Sequence, residues 1–168
     1  MRKLLLLLLP LFLFAGETFS QSAKVQALFI FQFAKYTGWA KEDAGEPLVI
    51  TVLGSNEIAS ELRKVSEGKS VGGRKVEIAQ ASTTGNIPKS DVIFIGNEFT
   101  GSPSSVSNSQ AGRLVLIVGG KQGMCAQGAS VSLIPNGNNV TFEASERNLS
   151  KRGLHIAPKI LAMGSMVP

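Results

Sequence analysis

A chain of 168 residues is the size of one domain built on a single core, and its 43% hydrophobic content supports that core. The formal net charge of +5 comes from basic residues placed singly or in pairs, such as Arg63–Lys64, Arg74–Lys75 and Lys151–Arg152. No basic stripe interleaves with aromatics, so a nucleic-acid partner is not expected.

The first residues read as an export signal. Arg2 and Lys3 precede an apolar run from Leu4 to Phe14, broken only by Pro10, and then the small and polar stretch AGETFSQSA. A basic start, a short apolar run and small residues near a cut site define a secretory signal peptide. The run is shorter than the ~20 residues a membrane helix needs. Cleavage after Ser20 fits, and cleavage after Ser22 nearly as well. The expected division is therefore a signal peptide over 1–20 and one domain over 21–168. The only cysteine is Cys125, so no lipidated cysteine follows the signal.

VQALFIFQFAKYTGWA (25–40) holds three of the nine phenylalanines, the only tyrosine and the only tryptophan. On a helical wheel Val25, Leu28, Phe29, Phe33, Tyr36 and Trp39 share one face, with Ile30 and Phe31 off it. A helix apolar almost all round is buried on more than one side or is covered by another chain. After the turn AKEDAGEP, the run LVITVLG (48–54) suits a strand buried on both faces. Ser55 is placed to cap a helix carrying Ile58, Leu62 and Val65, which Gly68 stops. A second strand is expected over Lys75–Ala79, a third in SDVIFIG (90–96) and a fourth in RLVLIVGG (113–120). The polar segment 100–112 is a short helix or a loop.

Two more strands, ASVSLIP (129–135) and NVTFEAS (139–145), join through NGN, a hairpin signal because Asn and Gly tolerate positive φ. Serine and threonine alternate with apolar residues there, so one face of the hairpin is expected to be wet. Ser145 can cap a helix through ERNLSKRG, and Pro158 stands at the start of a last one. The expected fold class is α/β: one domain with a mixed, mostly parallel sheet flanked by helices and a C-terminal antiparallel hairpin.

No catalytic constellation is legible. His155 is the only histidine, and no set of Cys, His and carboxylates stands at zinc-ligand spacing. No G-x-S-x-G turn supports a nucleophile, and Asp91, Glu143 and Glu146 form no acid/base pair. The Gly-Gly steps at 72–73 and 119–120 complete no phosphate-binding motif, so neither cofactor nor metal is expected. Cys125 admits two readings: a free thiol open to a mixed disulfide or a disulfide-linked homodimer, or a small buried side chain. The second fits an unpaired cysteine better.

The ordered set LFIFQFAKYTGW, LVITVLG, GKSVGGRKVEI, SDVIFIG and GMCAQGASVSLI…NNVTFEAS…LSKRGLHIAPKILAM resembles the YfiR family of bacterial periplasmic proteins over nearly the whole chain from residue 21. That resemblance implies a periplasmic regulatory binding protein with no catalysis of its own. Its expected partner is the extracytoplasmic domain of a membrane signalling protein, diguanylate cyclase-like or a sensor kinase, with an outer-membrane lipoprotein as a possible sequestering partner. Inhibition of such a cyclase restrains cyclic-di-GMP synthesis and biofilm behaviour. Family members with a late disulfide carry a second cysteine seven residues after the one matching Cys125, and here that position is Ser132. Thr141 and Ser145 also replace the family's usual Arg and Asn.

These readings assign Phe29, Phe33 and Val25 to the core. Phe31, Tyr36 and Trp39 are expected to form a second apolar surface for the partner, bordered by Leu154, His155, Ile156 and Lys159. A small-molecule sensor is the alternative function, its shallow pocket expected at the strand ends near Gly54, Gly96 and Gly119.

Overall fold

The computed structural model describes residues 17–39 and 45–168. The expected signal peptide falls mainly on 1–16 and the first part of the AKEDAGEP turn on 40–44, outside the described residues.

Short β-branched runs build the sheet. The strands are β1 (Leu48–Leu53), β2 (Ser70–Val71), β3 (Arg74–Ala81), β4 (Val92–Ile95), β5 (Leu116–Gly119), β6 (Val131–Asn136), β7 (Asn139–Ser145) and β8 (Ser165–Val167). They form one sheet in the order β2-β3-β1-β4-β5-β6-β7-β8. Pairing is parallel from β3 through β6 and again between β7 and β8, and antiparallel for β2–β3 and β6–β7. The mixed, mostly parallel α/β fold read from the sequence is the fold observed.

Alternation along each strand sorts side chains to two faces. Leu48, Ile50, Val52, Val92, Phe94, Leu116 and Val118 point into a core beneath α1 (Glu17–Tyr36) and α2 (Asn56–Ser66). Leu53, Ile93, Ile95 and Ile117 point to the opposite face, where Val106 of α3 (Pro103–Ser109) and Met124 cover them. Helix α2 starts where expected, since the Ile58 N–H donates to the Ser55 hydroxyl at 3.2 Å. Ser145 caps α4 (Glu146–Lys151) in the same way, accepting from the Asn148 N–H at 3.3 Å.

Three elements differ from expectation. The buried side of α1 runs along Ala23, Ala27, Ile30, Ala34 and Thr37, with Phe31 and Phe33 beside it, while Leu28 is 40% exposed. Small residues let this side press close to its neighbours, and a wheel weighted by large apolar residues points elsewhere. Phe33 is core as expected; Phe29 and Val25 are half-buried against it. The aromatic trio Phe29, Phe33 and Phe142, with ring centroids 5.0–6.1 Å apart, fixes α1 on β7.

The hairpin's polar face is not wet at its inner end, because Ser130, Ser132 and Ser145 are fully buried. A 3-10 turn over Met124–Gln127 closes against that end, and small hydroxyl side chains permit the close approach. Finally, the closing helix α5 (Pro158–Leu161) is a single turn, and the chain then adds the unforeseen strand β8 beside β7.

Candidate functional site

Helix α1 ends against the C-terminal segment, and that junction gathers several of the residues read as a partner surface. The last carbonyls of a helix lack intrahelical donors. Here the Trp39 indole N–H donates to the Ala34 carbonyl at 2.7 Å and the Thr37 hydroxyl to the Phe33 carbonyl at 2.7 Å. The Ala157 N–H donates to the Tyr36 carbonyl and the Gly38 N–H to the His155 carbonyl, both at 2.9 Å. An antiparallel bridge between Thr37 and Ile156 completes the splice. These bonds hold Tyr36 and Trp39 half-buried at the rim, with His155 and Lys159 exposed beside them.

The ammonium of Lys159 stands 4.1 Å from the Tyr36 ring centroid and that of Lys35 5.5 Å from it, both within cation–π range. One ring therefore gathers two cations at the surface. Lys35 also lies in the last turn of α1, where the helix dipole favours positive charge.

Phe31, Leu154 and Ile156 do not belong to this surface. They are 7%, 1% and 5% exposed and sit in the core, so the second apolar surface expected from them is corrected. Phe31 lies against Lys69, whose ammonium is 5.3 Å from its ring. Leu154 and Ile156 flank His155 in an extended segment, which turns them inward and His155 outward. What remains on the rim is Tyr36, Trp39, His155 and Lys159. Sequence reasoning missed Lys35, although its place one residue before Tyr36 was available as a signal.

Cys125 is buried, the second of its two readings. Its thiol accepts from the Ser132 hydroxyl at 3.3 Å and contacts the Glu143 carbonyl at 3.6 Å. Asn148 ties the same turn down by donating to the carbonyls of Cys125 and Ala129 at 2.8 and 2.7 Å, and Glu143 accepts the Gly123 N–H at 2.7 Å. Burial pushes the Cys125 thiol pKa up, opposed by the Ser132 hydrogen bond. A raised pKa leaves less thiolate, the reactive species. At mildly alkaline pH, iodoacetamide is expected to label native protein at least tenfold more slowly than protein unfolded in guanidinium, read by intact mass. Equal rates would put the thiol at the surface.

The strand ends considered for a small ligand are filled by the chain itself. Strand order reverses between β1 and β4, the place where open α/β sheets carry a crevice. A Cβ on Gly54, whose φ is +65°, would stand 2.2 Å from the Phe99 backbone nitrogen, and one on Gly96 would stand 2.3 Å from the Gly54 carbonyl oxygen. A Cβ on Gly119 would meet the Met124 side chain. These glycines admit neighbouring chain, which removes the geometric basis for the expected pocket. Among the described residues no group of three His, Cys, Asp or Glu side chains could hold a metal ion, and no helix is long and apolar enough to cross a membrane.

An ABC domain in complex with L-Trp from Streptococcus pneumonia is similar to this chain with a TM-score of 0.58 at 14% identity, covering 88% of this chain and 62% of that one. A conserved domain protein from Vibrio cholerae O1 biovar El Tor gives 0.55 at 15% identity, covering 87% and 60%. At these identities the likeness is one of fold, and the chain spans about three-fifths of the length of either protein. No curated protein matches it. The ordered segments are nonetheless covered by one family profile from the start of the buried side of α1 to β8: with residues 23–165 matched, the chain belongs to the YfiR/HmsC-like family, DUF4154.

Proposed function

We propose that this protein is a periplasmic regulator that docks on the extracytoplasmic domain of a membrane signalling protein, diguanylate cyclase-like, and holds it inactive. The family is associated with regulating membrane diguanylate cyclases by protein interaction. The rim at the end of α1 is the observation that supports this reading, because Tyr36 and Trp39 are half-buried there and held by hydrogen bonds to the backbone. Aromatics held rigid offer contact area at low entropic cost, the character of binding hot spots. Their loss is expected to weaken docking more than folding.

The test pairs signalling with contact. Deleting the gene is expected to raise cellular cyclic-di-GMP, and a photo-crosslinker at exposed position His155 to capture an inner-membrane protein with a cyclase domain. The same probe at Lys121, beyond the carboxyl end of β5, should capture none. Unchanged cyclic-di-GMP together with no capture from His155 would overturn the reading.

A further inference from the structure

We infer that the rim is built to receive an acidic segment, with carboxylates of the partner seated on the Lys35–Tyr36–Lys159 cluster; this rests on the docking surface proposed above. The two stretches of chain that meet there, 21–39 and 147–168, contain no aspartate or glutamate. At the junction itself they place Lys35, Lys159 and His155, while Arg152 is turned to the carbonyls of Ser107 and Gln110. Glu42 and Asp43 follow Trp39 in sequence and lie outside the described residues.

Among the described residues of these two stretches from Gln21 onward, every charged side chain is therefore basic. Lys35 and Lys159 are exposed, and among the described residues the contact each makes is with the Tyr36 ring, which leaves the ammonium hydrogens to an incoming acceptor. Holding two cations at one ring costs Coulomb energy that an arriving carboxylate relieves. The positive field extends along α1. Its exposed stripe is Gln21, Lys24, Leu28, Gln32 and Lys35, and from Lys24 to Lys35 spans roughly 16 Å at about 1.5 Å per residue. A solvated face normally carries both signs. From Gln21 to Lys35 this one carries a single sign, with half-buried aromatics and an exposed leucine beside the cations.

A protein segment fits better than an anionic bilayer. The half-buried Trp39 indole is pinned to the Ala34 carbonyl and cannot swing out, and Phe31, Leu154 and Ile156 are core, so the rim offers a fixed contact surface and few apolar side chains free to insert among lipids. Opposite charge across an interface acts chiefly on encounter rate and on the choice among partners. The consequence is a salt-sensitive inhibitor that selects clients by an acidic patch.

Trp39 is the only tryptophan, so its fluorescence reports the rim. A labelled oligoglutamate peptide, with oligolysine as control, is expected to bind and to shift Trp39 emission, weakening as salt rises. The double variant Lys35→Glu/Lys159→Glu is expected to lose at least tenfold in affinity with an unchanged thermal midpoint, and Lys121→Glu to lose little. Equal losses in the two variants, or no binding by the parent, would overturn the acidic site. So would phosphatidylglycerol vesicles competing fully with the peptide, which would make the partner a membrane. The crosslink from His155 separates this inference from the reading beneath it. Capture that survives Lys35→Glu/Lys159→Glu keeps the docking surface and removes the acidic site. Peptide binding without capture of a cyclase keeps the acidic site and removes the regulatory reading.

Discussion

Replacing Arg74 by alanine is expected to cost about 3–5 kcal/mol of unfolding free energy, because it strands a carboxylate at the entry of three strands. Arg74 is 7% exposed and makes four hydrogen bonds. Its guanidinium meets both oxygens of Asp91 at 2.9 and 2.8 Å and donates to the carbonyls of Glu46 and Pro47 at 3.0 and 2.8 Å. Asp91 in turn accepts the Val49 N–H at 2.8 Å. The pair thus knots the start of β3 to the starts of β1 and β4. Domains of this size have only about 5–15 kcal/mol in total, so a shift of roughly 10 °C in the thermal midpoint is the expected readout. Arg74→Lys should fall between, since an ammonium cannot reproduce the planar two-pronged contact. A loss below about 1 kcal/mol by denaturant titration would show that water replaces the pair at no cost.

This knot marks one limit of what the chain discloses by itself. The sequence places a strand over Lys75–Ala79 after the Gly-Gly step at 72–73, and Asp91 at the head of SDVIFIG in no acid/base pair. Nothing in their spacing joins positions seventeen apart into a buried pair. What periodicity did disclose were the continuous apolar runs, LVITVL, VIFI and LIVG, because each has both faces covered and so cannot alternate. Caps were equally legible: Ser55 and Ser145 act through one side chain on a neighbouring N–H, a local event. The hairpin turn was local too, with Gly137 at φ +59°.

The rim was harder to read. Tyr36 and Trp39 share the periodic face assigned to them, yet their exposure is decided by where the segment 154–157 lies, more than a hundred residues away. Phe31 looked free because the wheel weighed size, whereas the helix buries its alanines and carries Phe31 in with them. Strand β8 was missed for a related reason. SMV is too short to show a period, and it pairs with β7 only because Gly164 lets the chain pass Phe142, where a Cβ would stand 2.3 Å from the ring.

The buried serine at 132 allows a stronger test of how the C-terminal end is held. Its hydroxyl lies 3.3 Å from the Cys125 sulfur, seven residues along the chain. Ser132→Cys is therefore expected to form a bridge after small side-chain rotations, since the longer C–S bond closes about a third of the gap between 3.3 Å and the ~2.05 Å of an S–S bond. Crosslinking a loop of about eight residues removes unfolded-chain entropy worth about 2.5 kcal/mol, or a midpoint higher by roughly 5–10 °C under oxidising conditions. The gain should vanish on reduction, where the variant keeps a second buried thiol and loses the serine hydrogen bond, placing it at or slightly below the parent. Intact mass before and after reduction reads the bridge. A variant that stays reduced in the presence of oxidant, or that oxidises with a lower midpoint, would mean that the turn over Met124–Gln127 holds its sulfur pointing away from β6.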